Sequence, residues 1–100
     1  MNKLDKILFE HGIYPNYKGY EYIKDIIIQD KSIALTHITD TYKAKAEKFN
    51  TTAGAVDRAI RNLRIKSNFN RTTNKQFLAI LQLEYKGENK NEIRNFITGD

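Results

Sequence analysis

The chain has 100 residues, enough for one hydrophobic core but small for two, so we expect a single domain over residues 1–100. It contains no cysteine, which excludes disulfides and thiolate metal sites and makes the cytoplasm the expected compartment. No apolar run approaches the roughly 20 residues that a membrane helix needs, and the charged N-terminus is unlike a signal peptide. The composition therefore favours a folded protein without membrane insertion.

The location of the positive charge is more informative than its size. The net charge is +5. Residues 43 to 66 carry seven lysines and arginines against two acidic residues, whereas the other 76 residues are neutral overall. A local excess of this kind favours a polyanionic partner such as nucleic acid. A solvated, lysine-rich helix face is the alternative that charge alone leaves open.

Apolar residues at helical spacing predict two helices in the first third of the chain. The first is short, and Gly12 ends it. A loop containing Pro15, the single proline, follows. The second helix runs to about Asp30. The apolar stripes consist of Leu4, Ile7 and Leu8 in the first helix and of Tyr20, Ile23, Ile26 and Ile27 in the second.

A third helix is predicted before a polar turn. Its apolar residues recur at i, i+4, i+8 and i+11, which keeps one face apolar. The sequence Asn50-Thr51-Thr52 then interrupts the pattern. Short polar side chains leave helices readily and accept hydrogen bonds from free backbone N–H groups, so Thr51 or Thr52 is the expected N-cap of the next helix. The apolar face consists of Ile38, Tyr42, Ala46 and Phe49.

The fourth predicted helix has one apolar face and one basic face. Its apolar residues follow the i, i+3, i+4, i+7 pattern of a helix buried on one side. At 100° per residue, Gly54, Arg58 and Arg61 lie on the opposite face. The apolar face consists of Val56, Ala59, Ile60 and Leu63, and the outer face is flanked by Ala55, Asp57 and Asn62.

A fifth helix is predicted after the polar stretch from Ser67 to Asn74, and Gly87 ends it. It has two apolar edges, so we expect it to be buried on two sides or to meet another subunit. A short tail, 88–100, has the pattern of a last short helix. The expected fold is all-α, a compact bundle of about five or six helices. The apolar residues are Phe77, Leu78, Leu81 and Tyr85 on one edge, Ile80 and Leu83 on the other, and Ile93, Phe96 and Ile97 in the tail.

Two helices joined by a short turn, from about 41 to 66, predict a helix-turn-helix with a recognition helix over about 52–66. Small residues at Gly54 and Ala55 would let the backbone approach base edges, and arginines one turn later would reach guanine or phosphate. The alternatives are that Gly54 packs closely against a neighbouring helix or lies in a frayed first turn. The predicted DNA-binding residues are Lys48, Asn50, Thr51, Thr52, Gly54, Ala55, Asp57, Arg58, Arg61 and Asn62.

Several stretches match a known family. They are Lys18-Gly19-Tyr20 with Tyr22, Lys48 to Ala53, Val56, Arg58 to Arg61, Thr73-Asn74, and Phe77-Leu78-Ala79. On these residues, the region from about 12 to 85 resembles the C-terminal DNA-binding effector domain of the response regulator that initiates sporulation in endospore-forming bacteria. The resemblance implies a helical domain that binds promoter DNA through a helix beginning near Thr52 and often pairs on tandem sites.

The chain departs from that family at three positions of the recognition helix. Ala55 stands where the family usually has a base-reading arginine, and Gly54 and Asp57 stand where it has serine and glutamate. An arginine bound to guanine through two hydrogen bonds contributes about 1–3 kcal/mol of discrimination, so the family's site preference does not transfer. Arg58 and Arg61 do match. The loop after the recognition helix is shorter than in the family, which suggests that a surface helix is missing.

The expected function is that of a stand-alone transcriptional regulator binding double-stranded DNA, alone or as a homodimer. The 100 residues leave no room for a phosphoacceptor domain, so abundance or a partner would control it. The alternative is an interaction module that keeps the fold and modulates a full-length regulator without reading DNA. We expect no enzyme, cofactor or metal site, because His11 and His37 are isolated and no catalytic motif occurs. Lys18 is a minor candidate for a phosphate contact.

Overall fold

The computed structural model describes residues 2–87. Within that range the chain is all-helical and has no strand, as predicted. None of these helices is both long enough and apolar enough to cross a membrane. The short tail helix expected around Phe96 lies outside the described residues. The helices are α1 (Lys3–Glu10), α2 (Tyr20–Gln29), a 3-10 helix (Ile33–Leu35), α3 (Ile38–Lys48), α4 (Ala53–Lys66) and α5 (Asn74–Lys86).

Helix α5 is the centre of the bundle, since α1, α2, α4 and the 3-10 helix all pack against it. Its N-terminus is fixed by a capping box, in which Thr73 and Gln76 each bind the other's backbone N–H. On the second apolar edge, Ile80 is only 3% exposed and Leu83 is half-buried, so the described residues cover that edge in part. Gly87 ends the helix in a left-handed conformation, as predicted.

Gly19, immediately before α2, allows α2 to approach α4 closely. A Cβ atom at this position would lie 2.8 Å from the carbonyl oxygen of Ala59 and 2.9 Å from Cδ1 of Leu63. Both distances are too short for carbon in a packed interior, so a larger residue would push the helices apart. The packed face of α4 is the predicted one, with Val56, Ala59, Ile60 and Leu63 all buried.

An ion-pair cluster joins α2 to α3. Nζ of Lys45, whose side chain is 8% exposed, lies 2.7 Å from a carboxylate oxygen of Asp25 and 2.7 Å from one of Asp30. Lys48 also pairs with Asp25. Burial opposes the charge on Lys45, but its hydrogen bonds to Asp25 and Asp30 outweigh burial and raise its pKa. Two lysines of the basic stretch therefore join α3 to α2.

Candidate nucleic-acid interface

The turn between α3 and α4 is built around Asn50. Its φ of 54° is left-handed, a conformation that asparagine tolerates better than other non-glycine residues. The N–H of Thr51 donates to the carbonyl of Ala46 at 2.8 Å, and the N–H of Asn50 donates to that of Glu47 at 3.4 Å, which closes α3 with a Schellman motif. Asn50, predicted to bind DNA, thus has a conformational role that its sequence context did not reveal.

Thr52 is the N-cap of α4, which decides between the two threonines considered. Its Oγ accepts a hydrogen bond of 3.1 Å from the N–H of Ala55. Thr51 is half-buried beside it. The turn therefore passes from the end of α3 to the first turn of α4 in four residues, Phe49 to Thr52, consistent with the predicted helix-turn-helix.

The outer face of α4 forms a ridge along the helix. We call Gly54, Arg58, Arg61 and Ile65, all exposed, the α4 ridge. A Cβ at Gly54 would meet no atom within 4 Å, which excludes close packing against a described neighbour as the reason for glycine there. Ala55 and Asn62 lie on one flank of the ridge, as the helical rotation predicted. The chain thus presents an open first turn followed by two arginines.

Asp57 and Arg64 of α4 are held by the fold at Asn74, the first residue of α5. Nδ2 of Asn74 donates to Oδ1 of Asp57 at 3.0 Å and to the hydroxyl of Tyr42 at 3.1 Å. Its Oδ1 accepts a hydrogen bond of 2.7 Å from Nε of Arg64. Burial is the main reason why the pKa of Tyr42 rises to about 12. Asn74 therefore ties α3 and α4 to α5, a role that sequence reasoning missed.

The basic stretch 43–66 does not form one surface. Lys45 is buried among carboxylates, Lys48 pairs with Asp25, and Arg64 binds Asn74. Nζ of Lys66 lies 4.6 Å from the ring centre of Tyr17. Only part of the charge excess is thus available to a ligand, and Lys48 is a phosphate candidate that already has a carboxylate partner.

The two histidines have positions in the fold. His11 is the C-cap of α1, and its Nε2 lies 3.0 Å from a carboxylate oxygen of Glu84. The hydrogen bond to Glu84 raises the pKa of His11 against the opposing effect of burial. His37 is the N-cap residue of α3 and is exposed. Within residues 2–87, no group of three or more His, Asp or Glu side chains is arranged to hold a metal ion.

The comparison with protein families supplies the identity of the domain. The family described as sporulation initiation factor Spo0A, C terminal, matches residues 4–98. The chain belongs to this family. Spo0A C-terminal domains are DNA-binding regulatory domains, which agrees with the resemblance noted from the sequence. A comparison with solved structures found no match.

Proposed function

We propose that this chain binds double-stranded DNA as a transcriptional regulator, with α4 in the major groove. The observation that carries the proposal is the α4 ridge, on which Arg58 and Arg61 are exposed beside a glycine that no described neighbour requires. Membership of the Spo0A C-terminal family supports the choice of DNA over other polyanions.

The width of α4 is compatible with the width of the DNA major groove. A helix with its side chains is about 10–12 Å wide, and the major groove of B-DNA is about 12 Å wide. The first turn of α4 has backbone N–H groups without helical partners, and such groups attract phosphate. Because Gly54 has no side chain, the backbone of this turn can approach the DNA closely.

The predicted site residues have different roles in this proposal. Arg58 and Arg61 bind guanine or phosphate, and the methyl group of Ala55 contacts thymine. Asp57 and Asn50 act by positioning α4 and its turn, given their contacts within the chain. The remaining residues, Lys48, Thr51, Thr52 and Asn62, lie around the ridge as candidates for backbone contacts.

Selection of duplexes from a random pool at two salt concentrations tests the proposal. We expect enrichment of a motif and affinity that falls steeply with salt, because phosphate contacts release counterions. Arg58→Ala and Arg61→Ala should each weaken binding to the selected duplex about tenfold or more, the effect of a lost guanine contact. Lys31→Ala is the matched control, since Lys31 is exposed at the end of α2 remote from Gly19. Failure to retain any duplex at either salt concentration would contradict the proposal.

The alternative is an interaction module that modulates a full-length regulator, and two observations motivate it. The first is the second apolar edge of α5, on which Ile80 is covered within the chain and Leu83 is half-buried. The second is Ala55, which stands in place of a base-reading arginine. A stable complex with a full-length regulator, together with no retained duplex in the selection, would favour the alternative.

A further inference from the structure

The α4 ridge lies between two shallow grooves, and each groove has a lysine from a different part of the chain. On one side, the groove separates α4 from α3, and Lys43 lines it next to Gly54. On the other side, the groove separates α4 from the connection between α1 and α2, and Lys18 lines it. The second groove is also lined by Ala55, Arg58, Ala59 and Asn62.

The position of Lys18 is fixed by the residues on both sides of it. Gly19 packs its backbone against Ala59 and Leu63 of α4, at a separation that leaves no room for a side chain. The ring of Tyr17 lies against Nζ of Lys66 at the end of α4. The segment from Tyr17 to Gly19 therefore runs beside α4, and Lys18 is held on its outer side.

Lys18 and Lys43 are exposed, and within residues 2–87 neither takes part in an ion pair. This distinguishes them from Lys45 and Lys48, whose ammonium groups bind Asp25. Asp57 also lines the groove of Lys43 and keeps its negative charge there, although its Oδ1 accepts a hydrogen bond from Asn74. The residues that line the groove of Lys18 include no acidic side chain, so Lys18 is the stronger candidate for an anion contact and Lys43 the weaker one.

We infer that Lys18 and Lys43 bind backbone phosphates on the two opposite sides of the major groove that α4 occupies. The inference rests on the proposed function. A helix in the major groove has a sugar–phosphate strand along each flank, and phosphate contacts set its orientation relative to the base pairs. Lys18 and Lys43 lie on the two flanks of α4, and their positive charge is opposite to that of the phosphates. The connection between α1 and α2, which lies outside the helix-turn-helix, thereby forms one side of the interface, and α3 forms the other.

The test is the salt dependence of duplex binding by Lys18→Ala, Lys43→Ala and the double variant. Each single substitution should reduce the slope of log K against log salt by about 1, and the double variant should reduce it by about 2. At about 0.15 M salt each lost phosphate contact corresponds to a roughly fivefold loss of affinity. The loss should be similar on selected and unrelated duplexes, because phosphates carry no sequence information.

Lys31→Ala is the control and should leave the slope unchanged. All variants should unfold at the wild-type urea concentration, because these side chains are exposed. If the wild-type chain binds no duplex, the proposed function fails and the inference fails with it. If the wild type binds and Lys18→Ala keeps both its slope and its affinity, the inference alone is overturned, and the interface is limited to α3 and α4. An unchanged slope and affinity for Lys43→Ala would likewise overturn the phosphate contact on the α3 side of the α4 ridge.

Discussion

Two groups of basic residues lie close together in the sequence and differ in what surrounds them. Lys45 and Lys48, on α3, bind carboxylates of Asp25 and Asp30 and join two helices. Arg58 and Arg61, on the α4 ridge, are exposed. A local excess of positive charge in the sequence is therefore not the same as a positive surface. Lys45 and Lys48 have carboxylate partners within the chain, whereas Arg58 and Arg61 have no ion-pair partner among residues 2–87.

The largest effect is expected from Lys45→Ala. This substitution removes one of the two cations beside the largely buried carboxylate of Asp25 and the cation beside Asp30, so the free energy of unfolding should fall by about 2–3 kcal/mol. Urea denaturation measures it. Lys43→Ala, on the exposed side of the same helix, is the control and should change stability by less than about 0.5 kcal/mol. Equal stability of Lys45→Ala and Lys43→Ala would contradict the structural role of Lys45.

The next effect is expected from Asn74→Ala, which removes the side chain that binds both Asp57 and Arg64 of α4. The half-buried carboxylate of Asp57 would lose its hydrogen bond from Asn74 and Arg64 would lose one of its two, so the free energy of unfolding should fall by about 1–2 kcal/mol. Asn70→Ala is the control, because Arg64 contacts Asn70 through its backbone carbonyl, which the substitution keeps. Thermal unfolding measures both. Wild-type stability of Asn74→Ala would mean that these hydrogen bonds do not hold α4 in place.

A smaller effect on the free energy of unfolding is expected at Asn50, in the turn between α3 and α4. Asn50→Ala should cost about 1 kcal/mol, because alanine tolerates the left-handed conformation poorly, whereas Asn50→Gly should unfold no more easily than wild type. If the role of Asn50 is conformational, Asn50→Gly also keeps wild-type DNA affinity. A glycine variant that is stable but binds DNA poorly would assign the amide group to the interface instead.

The smallest effect on stability, with the opposite sign, is expected at Gly54. Alanine should raise the free energy of unfolding by about 0.5 kcal/mol, since glycine is a poor helix residue and the space beside it is open. The same variant should bind DNA more weakly if the backbone approaches the duplex there. Gel-shift titration and urea denaturation of one preparation give both values. Greater stability with unchanged affinity would remove Gly54 from the interface.

The sequence predicted the elements that depend on local spacing. The apolar and basic faces of α4 follow from 100° per residue, and side-chain chemistry near one helix end limited the cap to Thr51 or Thr52, of which Thr52 is the one used. The DNA-binding family was also identified from matching stretches. These signals lie within one element or in short matching stretches, so they are visible before folding.

The sequence could not predict contacts that depend on how the helices pack. Lys45 and Asp30 are 15 residues apart, and Lys48 and Asp25 are 23 apart, so no local pattern marks them as partners. The binding of Asn74 to Asp57 across 17 residues is equally hidden. The sequence therefore could not show that Asp57 and Lys48, both predicted DNA-binding residues, also have partners within the chain.

The salt dependence of duplex binding by Arg58→Ala/Arg61→Ala and by Lys45→Ala compares the two groups most directly. We expect the arginine double variant to keep the wild-type unfolding midpoint and to lose affinity, and its salt slope should fall by up to about 2 if both arginines bind phosphate. Lys45→Ala, measured where it is fully folded, should keep the wild-type slope. An arginine double variant with unchanged affinity and slope would contradict the assignment of the α4 ridge to DNA.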